Sequence, residues 1–341
     1  MIDKLIFLTM KTFIKAISYY VPEFVVSNAD IVRDFPDWSE DKISMKIGIR
    51  KRYVSNEMTS GDMAEKAANN LFEESKIDRT QIDAVILCTQ SPDYFLPTTA
   101  CLLQEKLGLL TSVVAFDFNL GCSGFVYGLG ICKGLISCGI ATNILLLTAE
   151  SYSKFIHPQD RGNRALFSDA AAATIVSTDG IMEIDEMVFG TDGRGAKNLI
   201  VENGALRHRH SQNIDIDPKN GIDQSPDFLY MNGPEIYNFT LEKVPEMVKE
   251  LLIKSNIKKE EVDLFVFHQA NKHMLKFIRE ALEIPEEKFY LCLENFGNTV
   301  SSTIPIALYH AIKENRIHCS KKILIAGFGV GYSWGGAILG S

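Results

Sequence analysis

"LFEESKIDRTQID" (residues 71–83) and "LLIKSNIKKEEVD" (residues 251–263) lie 180 residues apart and follow one ground plan. Ser75 meets Ser255, Ile77 meets Ile257, Ile82 meets Val262 and Asp83 meets Asp263. Each stretch closes an amphipathic helix, at 63–76 and at about 242–255, and leads into a continuous apolar run, "AVILCTQ" (84–90) or "LFVFHQA" (264–270). Such runs suit strands of a sheet covered on both faces, because alternation disappears when neither face meets water. The likeness continues downstream. "LGCSGFVYGLGICKGLISCGIATNILLLTA" (120–149) passes from Gly-Cys through a helix to a strand, and "FGNTVSSTIPIALYHAIKENRIHCSKKILIAG" (296–327) does the same from Gly-Asn. The chain is therefore expected to hold two duplicated α/β halves, 10–180 and 230–341, joined by a connecting segment at 181–229. Helix–strand alternation favours parallel, doubly wound sheets.

Composition sets limits on what such a molecule does. With 341 residues, 46% of them hydrophobic, the chain can bury two core-sized halves. A formal charge of −8 without a basic stripe excludes a nucleic-acid binder. The short pairs Lys258–Lys259 and Lys321–Lys322 read as solvated helix ends and strand starts. The seven cysteines are odd in number and lack paired spacing, so neither a disulfide framework nor a metal site is expected, and a reducing compartment fits. No stretch approaches the ~20 apolar residues of a membrane span, and the expected location is cytoplasmic. Residues 1–9 read as an N-terminal extension ahead of a strand opened by Met10. The Gly-, Asn- and Asp-rich stretch 190–228 reads as an excursion near a site, with His208 and His210 of "RHRH" exposed to solvent.

Cys122 stands in a clearing, "DFNLGCSGF" (117–125), where an apolar strand runs into the helix that ends near Cys138–Gly139. A helix N-terminus offers unpaired N–H groups and partial positive charge, which favour thiolate over thiol. Gly121 would let the chain turn sharply, Ser123 and Gly124 would leave room above the sulfur, and the Cys122 N–H would face an oxyanion on an attacked carbonyl. This suits covalent acyl transfer from a thioester. The competing reading is a small apolar residue at a tight helix–sheet contact, and that is the reading given to Cys88, Cys101, Cys132, Cys138, Cys292 and Cys319. Two further places favour chemistry at Cys122. His268 ends its strand in "FHQAN" (267–271), near a carboxyl end, where open α/β sheets place ligands. Asn298 follows Gly297 at a helix start, in the position that corresponds to Cys122 by internal symmetry. A pseudo-twofold relation between the halves would bring the three side chains together.

At this point the residues resemble a known family. "SYYVPE" (18–23), "IGIRKRYVS" (47–55), "LGCSGF" (120–125), "DRGNRALFSDAAAA" (160–173), "MNGPEIYNF" (231–239), "FHQAN", "FGNTVSSTIP" (296–305) and "GFGVGYSWGGAIL" (327–339) together resemble the β-ketoacyl-acyl carrier protein synthase III branch of the thiolase superfamily. The resemblance covers nearly the whole chain from Met10. It implies a thiolase-like fold, two α/β halves stacked as a five-layered α-β-α-β-α core. It also implies a decarboxylative Claisen condensation of an acyl-CoA primer with malonyl-acyl carrier protein, giving a 3-oxoacyl-acyl carrier protein, with no cofactor beyond the two thioester substrates. Position by position it makes Cys122 the nucleophile, His268 and Asn298 the donors to the malonyl thioester carbonyl, and the N–H groups of Cys122 and Val330 the oxyanion hole. Arg161, Gly233 and Asn271 would contact the coenzyme or its pantetheine arm, and Leu96 takes the place of a phenylalanine lining the acyl pocket. The family's adenine-stacking tryptophan has no clear counterpart, since Trp38 lies far from "GIR", and a carrier-docking arginine is replaced by His273 beside Lys272. Family members are homodimers, which implies a homodimer here, through the strand at 143–149. Two alternatives stay open: an acyltransferase of the same fold that moves the acyl group to another acceptor, and a non-catalytic partner subunit.

Overall fold

The computed structural model describes residues 10–209 and 226–341. The expected extension at 1–9, and His210 with the rest of 210–225, lie outside the described residues. The first half runs β1 (Phe13–Tyr20), β2 (Val25–Ser27), α1 (Asn28–Asp34), α2 (Glu40–Lys46), β3 (Lys51–Tyr53), α3 (Ser60–Ser75), β4 (Ala84–Cys88) and α4 (Thr99–Lys106). It continues with β5 (Val114–Phe118), α5 (Gly124–Ser137), β6 (Asn143–Glu150), α6 (Arg161–Leu166) and β7 (Ala170–Ser177). Next come β8 (Met182–Thr191), β9 (Leu199–Ile200), β10 (Tyr230–Met231) and α7 (Gly233–Lys254). The chain closes with β11 (Leu264–Phe267), α8 (Lys272–Ala281), α9 (Thr303–Lys313), β12 (Lys322–Gly329) and β13 (Ser333–Gly340).

The internal repeat has a structural cause at each matched position. Lys76 and Asn256, with φ of 59° and 53°, turn the chain out of α3 and α7 through the left-handed region. Asp83 then accepts the backbone N–H of Asn143 at 3.0 Å, tying the start of β6 to the chain entering β4. Asp263 accepts that of Lys322 at 2.9 Å and does the same for β12 and β11. The carboxylates hold corresponding parallel pairs in register.

The strands follow the order β11-β12-β13-β8-β1-β7-β6-β4-β5. The middle of this order is thin: β8 pairs with β13 from Glu183 to Thr191 but meets β1 only at Phe13↔Glu183 and Ile14↔Met182. Two sheets thus join at one corner. In β4 and β6, Val85, Leu87, Leu145 and Leu147 pack outward on α3 and α4. Ile86, Ile144 and Leu146 point inward, onto Phe125 and Leu129 of α5. Ile304 and Leu308 of α9 share that core with Val266 and Ile325 of the second sheet. The opposite face of that sheet, Phe265, Phe267 and Leu324, is covered by Val248 and Leu251 of α7 and Leu275 and Ile278 of α8. The layers read α-β-α-β-α, as the resemblance implied.

Three expectations change. The sheets are mixed: only β4–β5, β4–β6 and β11–β12 are parallel, because β13 and β7 return beside β12 and β6 in the opposite sense. The segment 181–229 is more than a connection, since its β8 is a core strand. The strand at 143–149 cannot carry a dimer edge, for β6 is paired on both sides, with β4 and β7. The open edge of the first sheet is β5.

Candidate active site

Cys122 sits in the turn between β5 and α5, two residues ahead of the helix's first residue, and is buried. The glycines around it serve close approach rather than a clearing above the sulfur. A Cβ on Gly124 would collide with the Cys88 sulfur, and one on Gly121 would lie 2.7 Å from Val330 Cγ1. The backbone N–H groups of Cys122 itself and of Val330, in the β12–β13 turn, draw the thiol's pKa down. Sequence reasoning expected thiolate here. Burial, reinforced by the negative charge of Glu150, instead pushes the thiol up to about 12 against the pull of those two N–H groups. Cys122 therefore rests as a thiol, and any reaction through its sulfur needs an acceptor for the proton.

His268 follows β11 and is fixed by its backbone N–H, which donates to the Ala326 carbonyl at 2.7 Å. Its Nδ1 lies 2.7 Å from Thr303 Oγ1, and that hydroxyl also reaches the Val300 carbonyl at 3.0 Å. One hydroxyl proton serves both bonds. When Thr303 donates to Val300, Nδ1 carries the ring proton and Nε2 is an acceptor; when it donates to Nδ1, Nε2–H is a donor. Burial pushes the imidazole down to about 3, so the ring is neutral at physiological pH.

Asn298 is buried, and its Oδ1 accepts the Val300 N–H at 3.0 Å, which turns the Nδ2 donors away from that bond. Val300 holds this pose at φ 54°, a strained conformation for a β-branched residue. A 3-10 turn at Val300–Ser302 separates Asn298 from α9, so the symmetry with Cys122 is approximate.

Cys122, His268 and Asn298 line one cavity of about 160 Å³. Gly233 and Asn271 line it too, and Asn271 Oδ1 is committed to capping α8 through the Met274 N–H at 2.9 Å. Arg161 lies elsewhere, in a surface cavity of about 530 Å³ shared with Phe35 and Trp38. Its guanidinium stands 5.4 Å from the Trp38 ring centre and pairs with Asp37. Trp38, set aside on sequence distance, is therefore Arg161's neighbour, because α6 folds back against α1. Leu96 lines neither cavity and is 86% exposed on the α4-side loop. A third cavity, about 780 Å³ and mostly apolar, shares Leu199 with the first and reaches Gln90, Tyr152 and Val330. Of the other cysteines Cys88 and Cys132 are packed, but Cys101, Cys138 and Cys319 are exposed, at helix and loop surfaces. His208 is exposed as expected.

Sequence reasoning missed Glu150, fully buried behind Cys122. It accepts from the Gln90 N–H at 3.1 Å, Ser91 Oγ at 3.2 Å and Ser301 Oγ at 3.0 Å. Burial pushes its carboxyl up to about 8. The one signal was a lone glutamate ending the apolar run "NILLLTAE".

Two family profiles match, "3-Oxoacyl-[acyl-carrier-protein (ACP)] synthase III" over residues 116–193 and its C-terminal counterpart over 252–341. The chain is 36% identical over 321 residues to a β-ketoacyl-[acyl-carrier-protein] synthase III of Clostridium perfringens, covering 94% of this chain and 96% of that one. It is 33% identical to the protein of that name from Campylobacter fetus, over 96% and 98% of the two chains. A crystal structure of a 3-oxoacyl-(acyl-carrier-protein) synthase III superposes with a TM-score of 0.93 at 43% identity, over 97% and 100%. The Aquifex aeolicus 3-oxoacyl-[acyl-carrier-protein] synthase III does so with 0.85 at 32%, over 97% and 100%.

Proposed function

The chain belongs to the 3-oxoacyl-(acyl-carrier-protein) synthase III family, and on that premise we propose that it joins an acyl-CoA primer to malonyl-acyl carrier protein through an acyl group carried on Cys122. It is an acyltransferase-type condensing enzyme. In the first half-reaction the sulfur attacks the primer's thioester carbon, and His268 Nε2, unprotonated, takes the thiol proton. The proton goes to the departing coenzyme A sulfur, and the Cys122 and Val330 N–H groups hold the oxyanion. In the second, the malonyl thioester carbonyl accepts from His268 Nε2–H and Asn298 Nδ2. Carbon dioxide leaves, and the resulting enolate carbon attacks the acyl carbonyl, expelling the Cys122 sulfur. The half-reactions call on opposite tautomers of one ring, which the Thr303 hydroxyl can serve in either direction.

The observation that carries this reading is the meeting of a buried sulfur, a neutral imidazole and an oriented carboxamide at one cavity. Trp38 and Arg161 form the place for the coenzyme's adenine end, an aromatic face beside a planar cation. The exposed Lys272, His273 and Lys276 of α8 suit an acidic carrier protein. Homodimerisation through the open β5 edge is supported by the exposed Tyr94, Phe95 and Leu96 nearby. No helix among the described residues is long and apolar enough to cross a membrane.

The test is to mix acyl-CoA, malonyl-acyl carrier protein and enzyme and follow carbon dioxide and the carrier's intact mass. The reading requires carbon dioxide release with a 3-oxoacyl carrier product. Acyl transfer without carbon dioxide would point to the simpler acyltransferase, and no adduct on Cys122 to a non-catalytic partner.

A further inference from the structure

We propose that Thr148 and Glu150 of β6 are positioning residues for Asn298, acting through the hydroxyls of Ser302 and Ser301; this rests on Asn298 being a donor to the malonyl carbonyl. The Asn298 backbone is already fixed. Its N–H donates to the Leu166 carbonyl at 3.0 Å, and its carbonyl accepts from the Ser168 N–H at 2.9 Å. What remains to be set is the side chain, and the Val300 N–H sets it by donating to Oδ1 at 3.0 Å. Beyond that N–H the chain turns sharply, with Val300 at φ 54°. A β-branched residue stays in that region only where its surroundings hold it.

The first half supplies the hold. Along the inward face of β6, Ile144 and Leu146 pack on α5, and the same alternation continues with Thr148 and Glu150. Both are buried, where a polar side chain is costly unless it is paired. Their partners are the two residues that follow Val300, themselves buried. Ser301 Oγ hydrogen-bonds Glu150 Oε1 at 3.0 Å. Ser302 Oγ donates to the Thr148 carbonyl at 3.1 Å and therefore accepts from the Thr148 hydroxyl at 2.9 Å, since a carbonyl can only accept. Two adjacent residues of the turn are thus tied to alternate residues of one strand. That fixes both where the turn lies along β6 and how it is rotated. Loss of these ties lets Val300 relax out of the left-handed region and withdraws its N–H from Asn298 Oδ1.

The experiment introduces Ser301→Ala with Ser302→Ala, in the wild type and in Asn298→Ala. It reads carbon dioxide release from malonyl-acyl carrier protein and, by intact mass, Cys122 acylation. In the wild-type background the double substitution should lower release about 10–100-fold relative to acylation, because a misaimed donor fails in the transition state. The loss should fall on kcat, with KM for malonyl-acyl carrier protein within about threefold of wild type. In the Asn298→Ala background the same change should lower the residual release by less than about twofold, since the residue it positions is gone. An equal fall in both rates, no fall in release, or a full fall without Asn298 overturns the inference. If the double variant does not fold, Thr148→Val and Thr148→Ser decide the matter. The valine, which lacks the hydroxyl, should lower release relative to acylation at least about threefold, and the serine should not. Equal ratios in these two overturn the inference. Unchanged release in Asn298→Ala alone would instead overturn the donor reading of Asn298, and the inference with it.

Discussion

At the carboxyl end of β4 stands Cys88, and 180 residues on, just past the end of β11, stands His268. Cys88 is packed under α5 and donates its S–H to the Leu120 carbonyl at 3.1 Å, with burial pushing its pKa up. His268 shares a cavity with Cys122 and Asn298. A second matched pair diverges likewise: Cys122 leads directly into α5, whereas Asn298 is followed by a 3-10 turn that points its carboxamide. Where the halves agree, as at Asp83 and Asp263, the shared residue holds strands together. Where they differ, one half holds the proposed nucleophile and the other the proposed hydrogen-bond donors. Duplication made the frame, and divergence at the helix starts and strand ends made the site.

The sharpest way to break this contrast is to remove each half's sulfur in turn. Cys122→Ala should abolish the acyl adduct seen by intact mass, while Cys88→Ala should keep it and lose at most about 1–3 kcal/mol of stability in a urea melt. Next in size is His268→Ala, expected to lower carbon dioxide release by about 10²–10³-fold. In the wild type that release should show no protonation step near pH 6.5. A ring held near 3 is already neutral throughout the range above about pH 4, so lowering the pH from 7.5 to 5.5 does not charge it. A smaller effect comes from Glu150→Gln. Ionised Glu150, present above its value of about 8, opposes thiolate formation at Cys122. The variant should therefore be alkylated by iodoacetamide roughly 3–10-fold faster at pH 9, the gap closing toward pH 7. The smallest is structural and symmetric. Asp83→Ala and Asp263→Ala should each cost about 1–2 kcal/mol in chemical denaturation, because each removes the acceptor of strand-start N–H groups.

Much of the frame was legible because duplication writes itself into the chain at a fixed offset. β8 was not, although "MEIDEMVFGT" is a strand, because the stretches that match across the halves lie elsewhere. Strand direction was also hidden, since it depends on which neighbour a strand returns beside. Cys122, His268 and Asn298 were legible as polar or reactive residues at element ends in apolar surroundings. The protonation state of Cys122 was not, because a helix start lowers a thiol's pKa only where burial and a neighbouring carboxylate do not outweigh it. Trp38 was discounted on chain distance, which α1 and α6 erase by packing together. The meaning of Glu150 comes from its burial, and its place at the end of an apolar run is the one trace of it in the local sequence.

The division of labour between the halves is tested most directly in Asn298→Ala, by following Cys122 acylation and carbon dioxide release from malonyl-acyl carrier protein in one preparation. Loading within about threefold of wild type, with release reduced at least about 100-fold, is the predicted result. A parallel fall in both rates would contradict it.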